Sequence, residues 1–134
     1  MTVAVDHTQE DEVQRMVAMA VGHCRSLNIL VNNVAGTHRE FQATDRDIVT
    51  MPVEVWDRAM ATNLRSPMLT CKHTVPKMIA AGCGSIVDIS SGGHGGGAAL
   101  AAYAGSKIGQ HRLTMAIVTA YGTHRGCRNA MSPR

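Results

Sequence analysis

Leu27-Asn28-Ile29-Leu30-Val31, followed at once by Asn32-Asn33-Val34-Ala35-Gly36, is the stretch on which the fold turns. A short, nearly unbroken apolar run stopped by a polar, glycine-bearing turn is the pattern of a strand buried on both faces, and such strands belong to parallel sheets covered by helices. Upstream, Val13, Met16, Val17, Ala20 and Val21 recur at helical spacing and predict a helix from about Gln9 to Gly22. Before it, the β-branched run Thr2–Asp6 predicts a first strand. Downstream, residues 37–52 carry no periodicity and predict a loop. From Val53 to about Ala81, Val55, Ala59, Met60, Leu64, Met68, Leu69 and Val75 predict one long helix, which Pro67 and Pro76 should bend or break. Ser85–Ser90 reads as a third strand, and the glycines at 92–97 as a loop. A helix follows from about Leu100 to Tyr121, and Arg125–Met131 reads as a fourth strand. Alternating strands and helices predict an α/β fold, a parallel sheet with right-handed crossovers, in one domain spanning residues 1–134.

Composition narrows the function classes. With 45% hydrophobic but only 3% aromatic residues, the core is built from small aliphatic side chains, which suits packed α/β layers. The formal charge is +3, and all ten acidic residues lie at or before Asp88. The basic residues beyond it are scattered without interleaved aromatics, which argues against a nucleic-acid partner. No apolar run reaches membrane length. Four cysteines without CxxC spacing, and no signal peptide, predict a reduced, cytoplasmic protein. Seven histidines show no spacing that pairs two ligands on one helix face, so no metal site is expected.

Tyr103 and Lys107 lie four residues apart and share a helix face. A phenol with a pKa near ~10 is a poor acid–base catalyst at neutral pH, and a neighbouring ammonium lowers that pKa by stabilising the phenolate. Reaching ~7 takes about three units, or roughly 4 kcal/mol, so the lysine would need help from a second cation. Ser90 and Ser91 close the preceding strand at the carboxyl edge, where open α/β sheets place their ligands, and a hydroxyl there can hold a substrate oxygen. Asn63 sits inside the long helix, where asparagine has poor propensity.

Asn32-Asn33-Val34-Ala35-Gly36, Asn63-Leu64, Ile89-Ser90-Ser91, Tyr103-Ala104-Gly105-Ser106-Lys107 and Arg125-Gly126-Cys127-Arg128-Asn129-Ala130 together resemble the classical short-chain dehydrogenase/reductase family, in the family's order and over nearly the whole chain. The resemblance implies a Rossmann-type three-layer fold and an NAD- or NADP-dependent interconversion of hydroxyl and carbonyl by hydride transfer. It implies Tyr103 as general acid/base and Lys107 as the group that lowers the phenol's pKa and holds the nicotinamide ribose. Ser91 is the substrate-orienting serine, with Ser90 as the alternative, and Asn63 anchors a water in the proton relay. Asp6 meets the adenine, and Asn33, with Ala35 and Gly36 beside it in the turn, lies near the adenosine ribose. Family members associate through the helices here at 53–81 and 100–121, which predicts a homo-oligomer acting on a small hydroxyl or carbonyl compound.

The sequence departs from the family pattern. The turn holds one residue more than Asn-Asn-Ala-Gly, loop 92–102 is about one residue short, and the stretch before Asn129 lacks an apolar residue. Against the pattern the chain reads as truncated at both ends, without the first β-α-β unit and its glycine-rich phosphate turn and without the C-terminal strand. Loss of those backbone N–H groups predicts weak cofactor binding. Gly93–Ala98 fits G-x-G-x-x-A, but no acid follows Asp88 to meet a ribose, so these glycines read as a loop over the site. In the strand order 3-2-1-4-5-6 the missing strands leave Thr2–Asp6 roughly 14 Å from its neighbour and leave Ile29-Leu30-Val31 as a bare apolar edge. Activity of the chain alone is therefore in doubt, and the rival expectations are a non-catalytic binding or assembly module and an incomplete gene product.

Overall fold

The computed structural model describes residues 1–36, 39–89, 100–122 and 127–130. Helix α1 spans Glu10–Cys24 and buries Val13 and Val17. Glu10, Asp11 and Glu12 crowd its first turn, where negative charge complements the exposed N–H groups. It ends at Arg25, which adopts a left-handed φ of 66° and returns its N–H to the Val21 carbonyl.

Strand β1, Ile29–Asn32, pairs in parallel with β2, Gly84–Asp88, which pairs in parallel with β3, Cys127–Ala130. Val31 stands opposite Val87 and Asn32 opposite Asp88. Between β1 and β2 the chain forms α2 (Arg39–Thr44), α3 (Val53–Met60), a π-helical turn (Ala61–Arg65) and α4 (Ser66–Ala81). Helix α5, Ala101–Tyr121, joins β2 to β3. The parallel sheet with flanking helices is the expected, incomplete α/β architecture.

The main core lies between the sheet and α4 and α5. Cys71, Val75, Met78 and Ile86 are buried there, with Leu27, Leu30, Ile79 and Ile117 packed around them. Gly84 opens β2 directly beneath α4, and a Cβ at that position would stand 2.5 Å from the Met78 sulfur. The opposite side of β1 is open: Ile29 is 68% and Val31 56% exposed.

Three expectations need correction. Thr2–Asp6 forms no strand, because a β-branched run becomes one only by pairing, and among the described residues no strand pairs with it. Residues 37–52 are not simply a loop, since they contain α2. Its anchor is tertiary, for Phe41 is buried against Ala59 and Ala102. The long helix at 53–81 is three segments. Pro67 has no N–H to give the Asn63 carbonyl, and just ahead of it the register widens, with the Ser66 N–H reaching back five residues to Ala61. Pro76 lies inside α4 without ending it.

Candidate active site

The first two turns of α5 carry Tyr103 and Lys107, and α5 is held at its N-terminus by a carboxylate from the loop after α2. Asp45, fully buried, accepts the N–H groups of Ala102 at 2.8 Å and Tyr103 at 2.9 Å. Those two donors have no partner within the helix, so Asp45 caps α5 from outside and fixes where Tyr103 emerges. The Tyr103 side chain is half-buried and rests on the cluster of Phe41, Ala59 and Ala102.

Lys107 is 3% exposed. Its ammonium lies 6.0 Å from the centroid of the Tyr103 ring. It donates to the Val34 carbonyl at 3.1 Å, the Ile89 carbonyl at 2.9 Å and Gln110 Oε1 at 3.1 Å. Thus it ties α5 to the turn after β1 and to the end of β2. Burial holds its pKa below the ordinary 10.5, and the Asp88 carboxylate opposes that shift.

Asn63 is fully buried in the π-helical turn. Its Oδ1 accepts the Gly36 N–H at 2.9 Å and its Nδ2 donates to Ser106 Oγ at 3.0 Å. Ser106 Oγ in turn donates to the Tyr103 carbonyl at 2.7 Å. A single asparagine therefore links the turn after β1, the long helix and the turn of α5 that bears the phenol, which explains why a poor helix former occupies the site.

Beside the turn lies a cavity of about 400 Å³ lined by Asp6, His7, Val34, Ala35, Gly36, Arg58 and Thr62, among others. Asp6 Oδ1 accepts the N–H and hydroxyl of Thr8, and those hydrogen bonds hold its pKa below the usual carboxylate value. His7 Nδ1 is buried without a partner among the described residues. Asn33 is exposed in the same turn. The cavity thus brings a carboxylate and the backbone of the glycine turn together. Ser90, Ser91 and the glycines at 92–97 lie outside the described residues. Tyr103, Lys107 and Asn63 are brought into one neighbourhood, and Asp6, Ala35 and Gly36 line one cavity.

Sequence reasoning passed over three buried polar residues here. Asp88 is 4% exposed and binds Asn32 Nδ2 at 2.7 Å and the Thr114 hydroxyl, while Thr70 donates to Asn32 Oδ1 at 2.7 Å. A charge within the apolar run Ile86–Ile89 was a legible signal. Gln110, one turn beyond Lys107 on the same face, was a second. Asp45 gave none, because its role depends on a helix end 57 residues away.

The described residues hold no cluster of three or more metal-binding side chains, and no described helix is long and apolar enough to cross a membrane. Cys24, Cys71 and Cys83 are free thiols. Burial, then the Asp88 charge, pushes the Cys71 thiol up to about 12.

The family model described as short chain dehydrogenase matches residues 1–133. A short-chain type dehydrogenase/reductase of Bradyrhizobium diazoefficiens is 38% identical over 122 residues, which cover 90% of this chain and 43% of that protein. Among solved structures, a short-chain dehydrogenase/reductase from Burkholderia xenovorans superposes with a TM-score of 0.85 at 30% identity, covering 96% of this chain and 49% of that one. A 7α-hydroxysteroid dehydrogenase complexed with NADH and 7-oxo glycochenodeoxycholic acid superposes with a TM-score of 0.80 at 25% identity, covering 93% and 46%. The chain thus spans about half the length of the relatives it matches.

Proposed function

Because this chain belongs to the short-chain dehydrogenase/reductase family, we propose that it carries the proton-transfer half of an NAD(P)-dependent oxidoreductase acting on a small hydroxyl or carbonyl compound. The observation that carries this reading is the ammonium of Lys107, buried and 6.0 Å from the Tyr103 ring. A positive charge so placed stabilises negative charge as it develops on the phenol oxygen during proton transfer. Tyr103 then gives its proton to a carbonyl oxygen, or takes one from a hydroxyl. Ser91, or Ser90, holds that oxygen against the phenol. Asn63 keeps the Tyr103 turn and the Gly36 turn in register, and with Lys107 it returns a proton to the phenol through water. Asp6, His7, Asn33, Ala35 and Gly36 would hold the adenosine end of the dinucleotide, and Lys107 its nicotinamide ribose. When bound, the nicotinamide supplies or accepts the hydride.

Two measurements test this. Tyr103→Phe is expected to lower turnover of a carbonyl substrate with NADPH or NADH by at least a hundredfold, in the range of lost acid–base catalysis, roughly 10²–10⁴; unchanged turnover refutes the role. Titration with NADH and NADPH, followed by Trp56 fluorescence or calorimetry, is expected to show weak but saturable binding.

A second reading has its own support. Met68, Val75, Ile79, Leu113 and Ile117 line an apolar groove of about 460 Å³ between α4 and α5, which suits a homo-oligomer formed through these two helices with no catalysis required. Absence of nucleotide binding together with a dimer in sedimentation favours that module. The free thiols suit a reducing, cytoplasmic setting.

A further inference from the structure

Lys107 has three ammonium protons, and the chain itself accepts all three. Two acceptors are backbone carbonyls, fixed by the sheet and the turn. The third is the side chain of Gln110, which is fully buried. A lysine can only donate, so Gln110 must turn its oxygen toward Nζ and its amide nitrogen the other way. That nitrogen has no partner among the described residues. Among the described residues the side chain's one hydrogen bond is the bond to Lys107, made while its buried amide donor finds no partner. An apolar residue of equal volume would fill the space without that penalty.

Direction along the helix gives the bond its meaning. Tyr103 lies one turn before Lys107 and Gln110 one turn after it. Side chains on a helix lean toward its N-terminus, so an unrestrained Lys107 leans toward the phenol. Gln110 draws the ammonium the opposite way.

We propose that Gln110 is a positioning residue that holds the Lys107 ammonium back from the Tyr103 phenol, so that any hydroxyl engaging Lys107 must first displace the glutamine. Lys107 then has two states, one bound to Gln110 and one with a proton free for the phenol or a ribose hydroxyl. The charged groups around the pair are Asp45 at the start of α5 and Asp88 on β2. Among the described residues neither carboxylate is hydrogen-bonded to the Gln110 side chain, and both stay in place in the variants compared below. The inference rests on the proposed Tyr103–Lys107 site for its catalytic meaning only, because it is tested without cofactor.

With Tyr121→Phe as background, Tyr103 is the one tyrosine left, and its ionisation is read by absorbance near 295 nm across a pH titration. Gln110→Met and Gln110→Leu are each expected to lower the Tyr103 midpoint by about one unit, the scale on which a charge a few ångströms away moves a pKa, with the far-ultraviolet circular dichroism unchanged. A midpoint that stays put, or rises, overturns the proposal: the first makes Gln110 mere filling, the second makes it a support for the lysine's charge. A measurement on the unsubstituted chain covers the case in which neither variant folds. With ¹⁵N-lysine, an ammonium bonded at all three protons exchanges slowly with water and gives a visible NH₃⁺ resonance, assigned by its loss in Lys107→Arg. Lack of that resonance at slightly acidic pH overturns the proposal equally. Failure of either test leaves the Tyr103→Phe result standing by itself.

Discussion

Lys107 is held by geometry that water would otherwise provide: two carbonyls and an amide replace its hydration shell inside the protein. That replacement is incomplete, since burial still holds its pKa below 10.5 despite the nearby Asp88. The consequence for stability follows from proton linkage. Between the folded-state pKa and 10.5 the unfolded chain binds more protons than the folded one, so this group makes stability rise with pH in that alkaline window. Below the folded pKa the burial penalty is present in full. Lys107→Met should therefore flatten the pH dependence of the urea midpoint on the alkaline side, removing up to about 1.4 kcal/mol per pH unit of slope. A variant with the same alkaline slope as the unsubstituted chain would show that another group is responsible. Both the Tyr103–Lys107 pair and the asparagine beside it were legible in the sequence. Spacing four apart on a helix fixes a shared face, and an asparagine inside an apolar helical pattern stands out. Gln110 and Asp88 carried the same kind of signal, being polar residues at inward positions, and their meaning became visible only once their partners were known.

At the level of elements, α5 depends on a cap that it does not itself supply. Asp45 satisfies two N–H groups at the start of α5, that of Ala102 buried and that of Tyr103 partly so. Asp45→Ala leaves both unanswered and is expected to destabilise the fold by about 1–3 kcal/mol. Asp45→Asn, which keeps an acceptor oxygen, should cost less, and urea denaturation ranks the two. If alanine and asparagine are equivalent, the cap contributes little. Size and tertiary contact explain why α2 escaped sequence reading. A six-residue helix has too few turns for periodicity, and what stabilises it is Phe41 packing on α3 and α5 rather than anything local. The long helix was legible as a whole, and its break was foreshadowed by Pro67. The form of the break, a widened turn that points Asn63 inward between Gly36 and Ser106, was settled by contacts from two other elements.

For the molecule as a whole, the open side of β1 is the dominant physical fact. Ile29 and Val31 leave apolar surface and a strand edge facing solvent, a template for self-association. Ile29→Lys combined with Val31→Lys should slow aggregation at tens-of-micromolar concentration severalfold while leaving helicity intact, because neither side chain is part of the core. Light scattering and sedimentation velocity measure this. If association is unchanged, the α4–α5 groove is the adhesive surface instead. Thr2–Asp6 belongs to the same account, since its β-branched residues have the composition of a strand and, among the described residues, no partner with which to become one.

Sequence alone determined the alternation of strands and helices, the family, and the positions of Tyr103, Lys107 and Asn63, because periodicity and short spacings are local and survive without a fold. Tertiary structure decided what those residues are bonded to. The capping of α5 by Asp45 and the surrender of Lys107 protons to the Val34 and Ile89 carbonyls each depend on groups distant in the chain, and hydrogen-bond partners at such separations exist only once the chain has packed.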